Sequence, residues 1–194
     1  MSSRVVGDTG YIVGVLVQAN QGHYDELVIR GVPVGTKMTP PNGPDIDPGG
    51  QNIAGPRKSS IIVVIATDAP LLPHQLKRVA RRATLGVGRT GTFTNNDSGE
   101  IFIAFSTANR TALQSEEEVQ VSMTPFNDDI MNAFFKASVD ATEEAIINAL
   151  IEAQSLTGRT DADNHPHAAT AIKDVTSPSS LQDVMIEFNR WKKP

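Results

Sequence analysis

Ser60 stands at a junction between two kinds of chain. Before it, residues 35–59 are broken by Met38-Thr39-Pro40-Pro41-Asn42-Gly43-Pro44 and by Pro48-Gly49-Gly50, a composition that forms linkers rather than packed elements. After it, Ile61-Ile62-Val63-Val64-Ile65-Ala66-Thr67 reads as a buried strand. A serine hydroxyl is a weak nucleophile at neutral pH. It becomes a useful one at a chain terminus, where the free α-amine, with a pKa of about 8, acts as its general base. Making such a terminus needs a cleavable segment upstream and a rigid strand downstream. Residues 35–59 and the strand from Ser60 meet both needs, and an internal linker of this length is uncommon unless it is functional or cleavable. The pattern also describes a serine that only opens a strand after a loop, the commoner case.

Other polar residues make weaker patterns. His165 and His167 stand near Asp161 and Asp163. Alternate residues of a loop without a third anchor are too little to hold a metal, so neither a metal nor a cofactor is expected. His74 reads as a helix-start histidine, and Glu116-Glu117-Glu118 as a solvated turn. Lys77, Arg78, Arg81 and Arg82 recur at helical spacing and read as the wet face of a helix. A net charge of −5 and a pI near 5.3 argue against non-specific binding of nucleic acid, which needs a basic surface. There is no cysteine, hence no disulfide or thiol chemistry. The first ten residues lack the apolar core of a signal peptide, and no apolar run approaches the roughly 18 residues that cross a bilayer. The expectation is a soluble, cytoplasmic chain.

The elements that must position these residues follow from periodicity. Tyr11–Ala19 is β-branched and apolar and reads as a strand buried on both faces, with no hydrophobic partner before it. Leu27–Val34 suggests a second short strand. Leu72, Leu76, Val79 and Ala83 give an amphipathic helix ended by Gly86, Gly88 and Gly91. Ile101–Thr107 is another buried strand, and Val119, Val121 and Met123 alternate as a half-buried one. Asn127 caps a long helix that includes Ile130, Phe134, Ala137, Ala141, Ala145 and Leu156 and stops at Gly158. Residues 160–178 are polar and aperiodic. Ser179 and Gln182 form a capping-box pair ahead of a short helix with Leu181, Val184, Met185 and Phe188.

Three blocks carry a family resemblance. Ser60-Ile61-Ile62-Val63-Val64-Ile65-Ala66-Thr67-Asp68-Ala69-Pro70-Leu71-Leu72-Pro73-His74-Gln75-Leu76 resembles the nucleophile segment of the D-aminopeptidases and β-aminopeptidases of peptidase family S58. Tyr11-Ile12-Val13-Gly14-Val15-Leu16-Val17-Gln18-Ala19-Asn20 is similar to a strand of that family's α-subunit. Asn95-Asn96-Asp97-Ser98-Gly99-Glu100-Ile101-Phe102-Ile103-Ala104-Phe105-Ser106-Thr107-Ala108-Asn109 is similar to a third signature. The similarity covers about residues 10–35 and 60–160, in the family's order.

The resemblance implies an α/β (α+β) chain, a four-layer αββα sandwich that is N-terminally incomplete here. It implies a precursor cut between Ser59 and Ser60 into subunits that stay associated, and an oligomer of such pairs. Ser60 would be the nucleophile, Ser98 and Glu100 the residues that assist it, and Asn20 the oxyanion donor. Strand geometry agrees, because residues i and i+2 share a face. A carboxylate at Glu100 would orient the Ser98 hydroxyl and stabilise an ammonium at the new terminus. The plainer readings are a turn at Asn95–Gly99 with Glu100 solvated, and an Asn20 that only closes a strand. On the resemblance, residues 1–34 correspond to the end of the α-subunit, 35–59 to the processing linker, 60–160 to the catalytic β-subunit and 161–194 to a divergent tail with a short helix.

The function expected is a self-processing serine aminopeptidase or amidase that acts through Ser60 on small peptides, amides or esters. It would work as a homo-oligomer or with a missing upstream half, without nucleic acid or membrane. Two alternatives remain. One is an acyltransferase of the ornithine acetyltransferase type, with Thr67 as its new terminus. The other is a non-catalytic remnant serving as an assembly or binding module. It is favoured by Lys58-Ser59 where the family has glycine before the nucleophile, and by a length well short of the family's precursors.

Overall fold

The computed structural model describes residues 1–20, 22–38, 59–93, 96, 98–108, 127–160, 166–169, 171–175 and 179–191. They fall into two compact units. One takes in those within 1–19, 61–87 and 100–146, the other those within 20–60, 88–99 and 147–194.

The first unit is built on a four-stranded mixed sheet in the order β1 (Ser2–Val5), β2 (Ile12–Asn20), β3 (Ser60–Thr67), β4 (Gly99–Ser106). β1 pairs antiparallel with β2, from Ser2 opposite Val15 to Val5 opposite Ile12. The strand expected at 11–19 therefore does have a partner before it. Ser-Ser-Arg-Val has no apolar run to announce it, and an edge strand needs none. The Thr67 hydroxyl donates to the Ile12 carbonyl at 2.7 Å, which sets the start of β2 beside the end of β3. β3 and β4 run parallel: Gly99 N–H donates to the Ser59 carbonyl at one end, and Thr107 N–H to the Thr67 carbonyl at the other. A parallel pair needs a crossover, and α2 (Pro73–Gly88) provides it.

α2 begins at a proline, whose missing N–H costs nothing in the first turn. The buried Gln75 takes the Leu72 N–H on its carbonyl and donates its amide to Asp128, tying this start to the turn before α3 (Met131–Glu152). Asn127 caps that turn, as expected, by accepting from Asp129 N–H at 3.0 Å. Gly86 was expected to end α2 but lies inside it. A Cβ there would sit 2.6 Å from the Val139 carbonyl and 2.8 Å from the Thr142 Cβ, so the glycine is what lets the two helices touch. Val79 and Ala83 of α2, and Phe134, Ala137, Ala141 and Ala145 of α3, are buried together with Val13, Val15, Ile61, Val63 and Ile65 of the sheet.

The other sheet face departs from the reading of strands buried on both sides. Val5, Ile12, Leu16, Ile62, Ile101, Ile103 and Phe105 are exposed in this chain. The α/β class is as expected, and the two sides of its sheet are unequal.

In the second unit, Leu27–Val34 is not a strand. Arg30 and Gly31 both take positive φ (51° and 79°), which folds Ile29 back onto Val32 in a two-residue turn. The chain then enters α1 (Val34–Lys37). Ile29, Val32, Val34 and Met38 pack with Ile172, Val175, Val184 and Met185 into a separate small core. α3 stops at Glu152 rather than at Gly158. β5 (Leu156–Thr160) and β6 (Pro166–Ala169) follow as an antiparallel pair, where the end of the helix and then an aperiodic segment were expected. The capping box of α4 (Leu181–Glu187) is Ser180 with Asp183, one residue later than the sequence suggested. The expected strand around Val119–Met123 lies outside the described residues, as do residues 39–58 of the linker expected at 35–59; residues 35–37 of that linker instead belong to α1, and Met38 packs in the small core.

Candidate active site

The parallel ladder between β3 and β4 decides what meets at Ser60. The carbonyl of Ser59, which belongs to the Ser59–Ser60 peptide, accepts the Gly99 N–H at 3.1 Å. The Ser59 side chain is buried at 4% exposure, and its hydroxyl donates to Ser98 Oγ at 2.9 Å. Ser60 itself is exposed, at the first position of β3. A methyl group added to Gly99 would lie 3.5 Å from Ser60 Oγ, an ordinary contact distance, so the hydroxyl lies over that glycine with room for a side-chain carbon between them. Ser59, Ser60 and Ser98 are thus gathered around Gly99. They are held by the backbone bond from Gly99 to Ser59 together with the buried Ser59 side chain and its hydrogen bond to Ser98.

Of the other residues expected here, Asn20 is the last residue of β2 and is exposed. Glu100 is the second residue of β4 and half-buried, on the less exposed side of a strand whose alternate residues Gly99, Ile101, Ile103 and Phe105 are open. Ser98 is half-buried just before that strand. Thr67 is committed to structure: it is 4% exposed, its hydroxyl donates to the Ile12 carbonyl, and its oxygen accepts the Ala69 N–H. A hydroxyl so engaged is poorly placed to become a new terminus.

Two features were not read from the sequence. One is Gly99, whose N–H polarises the carbonyl of the Ser59–Ser60 peptide; its place right after Ser98 at a strand start was the available signal. The other is Tyr24 and Glu26, in a short turn after β2. The Tyr24 hydroxyl and Glu26 Oε2 are buried with no hydrogen-bond partner among the described residues, and burial pushes the Tyr24 phenol up from its usual pKa. A groove of about 380 Å³ between α2 and β4 is lined by Pro73, Leu76, Lys77, Ala80, Phe102, Ile103 and Ala104, none of them an expected site residue. Among the described residues no three histidines or carboxylates gather as metal ligands. The His165 and Asp161 pattern falls outside them, and nothing is described of the His167 side chain. No described helix is long and apolar enough to cross a membrane.

Comparison with known proteins shows what the chain is similar to. The chain is 45% identical over 166 residues to the beta-peptidyl aminopeptidase BapA of Sphingosinicella xenopeptidilytica, covering 83% of this chain and 41% of that protein. It is 46% identical over 164 residues to the BapA of Sphingosinicella microcystinivorans, again covering 41% of the relative. Among solved structures it superposes on the L-aminopeptidase D-Ala-esterase/amidase of Ochrobactrum anthropi, described as a variant of the Ntn hydrolase fold. There the TM-score is 0.79 and the identity 41%, over 98% of this chain and 48% of that one. The chain spans less than half the length of each of these proteins. The model of peptidase family S58 matches residues 1–164, and the chain belongs to that family.

Proposed function

We propose that this chain carries the nucleophile of a self-processing serine aminopeptidase or amidase, which removes N-terminal residues from small peptides, amides or esters through Ser60. The observation that carries this reading is the Ser59–Ser60 peptide: a serine opening a rigid strand, its preceding carbonyl held by the Gly99 N–H. An amide donor on a carbonyl draws electron density away from carbon and stabilises the oxyanion formed on attack. In this reading Ser60 Oγ attacks the Ser59 carbonyl first and external substrates afterwards. The freed α-amine of Ser60 takes the hydroxyl proton and passes it to the leaving amine. Water then releases the acyl group. Ser98 and Glu100 assist the amine, and Asn20 donates to the oxyanion. The reading calls on no metal or cofactor. The names of the relatives, beta-peptidyl aminopeptidase and L-aminopeptidase D-Ala-esterase/amidase, support the substrate class.

The partner in this reading is a further β-layer seated on the open sheet face, supplied by the part of the family's length that this chain does not span or by a second copy. Contiguous exposed apolar surface of this kind marks interaction sites. A chain without cysteine has no need of an oxidising compartment, and we place it in the cytoplasm.

Intact mass of the purified chain, with turnover of aminoacyl p-nitroanilides, tests the proposal. Fragments of residues 1–59 and 60–194 that co-purify, together with turnover, are expected. A cut elsewhere, for instance before Thr67, would favour the acyltransferase reading, and no cut would favour a non-catalytic assembly or binding module. The buried side chain of Ser59 at the junction is the observation on that side.

A further inference from the structure

We propose that Ser59 is a placeholder on Ser98: in the uncut chain its hydroxyl occupies the group that the new amino terminus would use, which slows self-cleavage, and its departure after the cut opens that group to the new terminus. This inference rests on the self-processing reading above. Three observations meet at one residue. Ser59 is buried beside an exposed Ser60. Its hydroxyl donates to Ser98 Oγ at 2.9 Å. Its carbonyl is fixed by the Gly99 N–H at 3.1 Å. Successive side chains of an extended chain point to opposite sides. Ser59 therefore faces Ser98, while Ser60 Oγ lies over Gly99, 3.5 Å from where a Cβ on that glycine would sit.

Cleavage forms a bond from Ser60 Oγ to the Ser59 carbonyl carbon and breaks the carbon–nitrogen bond between the two residues. The hydroxyl proton ends on the Ser60 nitrogen, which becomes the α-amine of an ester. Water adds to the ester carbonyl and the bond to Oγ breaks. Oγ recovers a proton, and Ser59 leaves with a terminal carboxylate. A hydroxyl oxygen offers two acceptor positions. Ser59 fills one of those on Ser98 and competes with any proton that the reacting serine or the nascent amine would place there. Burial of Ser59 also keeps water from the ester carbonyl in the second step. Once Ser59 has left, that position on Ser98 opens to the new terminus, so cleavage itself completes the site.

The test follows self-cleavage over time, by intact mass, in the full chain and in its Ser59→Ala, Ser59→Thr, Ser59→Val and Ser60→Ala variants. A neutral hydrogen bond has a net worth equivalent to about three- to tenfold in rate. The Ala and Val variants should cut faster than the parent by that factor. The Thr variant, which keeps the hydroxyl, should stay within about twofold of the parent, and Ser60→Ala should remain whole. Thr and Val have nearly the same shape, so their difference reads the hydroxyl rather than the room at the site. Equal rates for Thr and Val, or an Ala variant slower than the parent, would overturn the placeholder and leave self-processing standing. An absence of cutting in every variant, parent included, would overturn both.

Discussion

The two faces of the β1–β4 sheet are made of the same kinds of residue and meet opposite fates. Val13, Val15, Ile61, Val63 and Ile65 are buried, whereas Ile12, Leu16, Ile62, Ile101 and Ile103 on the other side are open to water, Leu16 at 56% and Ile101 at 53%. Composition does not make the difference. Burying such a side chain is worth about 1.5–3 kcal/mol, but only if another layer covers it. On one face that layer is helical and lies in the same unit. On the other, the same chemistry is left for something else to use. Ser60 stands at the head of the open row, next to Ile62 and Val64, so the proposed nucleophile and the unsatisfied apolar surface share one face.

If that contrast is right, damage to the two faces should separate activity from stability. The largest effect expected is on the open side. Ser60→Ala should abolish self-cleavage and p-nitroanilide turnover while the thermal midpoint stays put. Full turnover by this variant would sink the assignment of the nucleophile. On the covered side, Ile65→Ala should lower unfolding free energy by about 2–5 kcal/mol in urea titrations. Ile103→Ser on the open face should change it by no more than about 0.5 kcal/mol and should reduce self-association in sedimentation. Similar losses at both positions would mean that the open face is already covered in solution.

Glu100 sharpens the comparison because it lies on the less exposed side of β4, one residue from Gly99. Glu100→Gln keeps shape and removes charge. If the charge supports the terminal ammonium, turnover should fall about ten- to a thousandfold with stability unchanged. A rate within twofold of the parent would return Glu100 to a purely structural place.

The smallest effect concerns the covered side at low pH. The Asp128 carboxyl is held below its usual 3.8, first by the Gln75 amide and then by Arg78. A depressed carboxyl adds stability above the unfolded value and loses it as pH falls through the folded one. The thermal midpoint should therefore decline below about pH 4, and Asp128→Asn should flatten part of that decline. The group is exposed, so the change should be slight, and an acid limb identical in the variant would remove Asp128 from the account.

Much of this was legible in the sequence. Periodicity located β2, β3, β4, α2 and α3, because apolar repeats of two and of about 3.6 residues are local properties. The linker–strand junction pointed to Ser60, and the resemblance to the family. Where local pattern was silent or shared between outcomes, the reading went astray. Ser2–Val5 has no run to mark it, Leu27–Val34 reads as a short apolar strand until two positive φ values fold it back, Leu156 was drawn into the helix before it, and Pro166–Ala169 has too little periodicity to announce a strand.

What the sequence settled by itself is therefore the order of the main elements and the family. Tertiary structure alone decided which side of each strand is covered. A run such as Ile-Ile-Val-Val-Ile is equally apolar on both faces, and only the helices packed against it select one. It also decided that Gly86 is a contact between helices and not an end, because the Val139 carbonyl that excludes a side chain is 53 residues away. And it set the Ser59 hydroxyl on Ser98 and the Ser59 carbonyl on the Gly99 N–H, contacts fixed by the register of two parallel strands about forty residues apart in the chain. A local pattern carries no information on register over such a distance, because the crossover through α2 sets it.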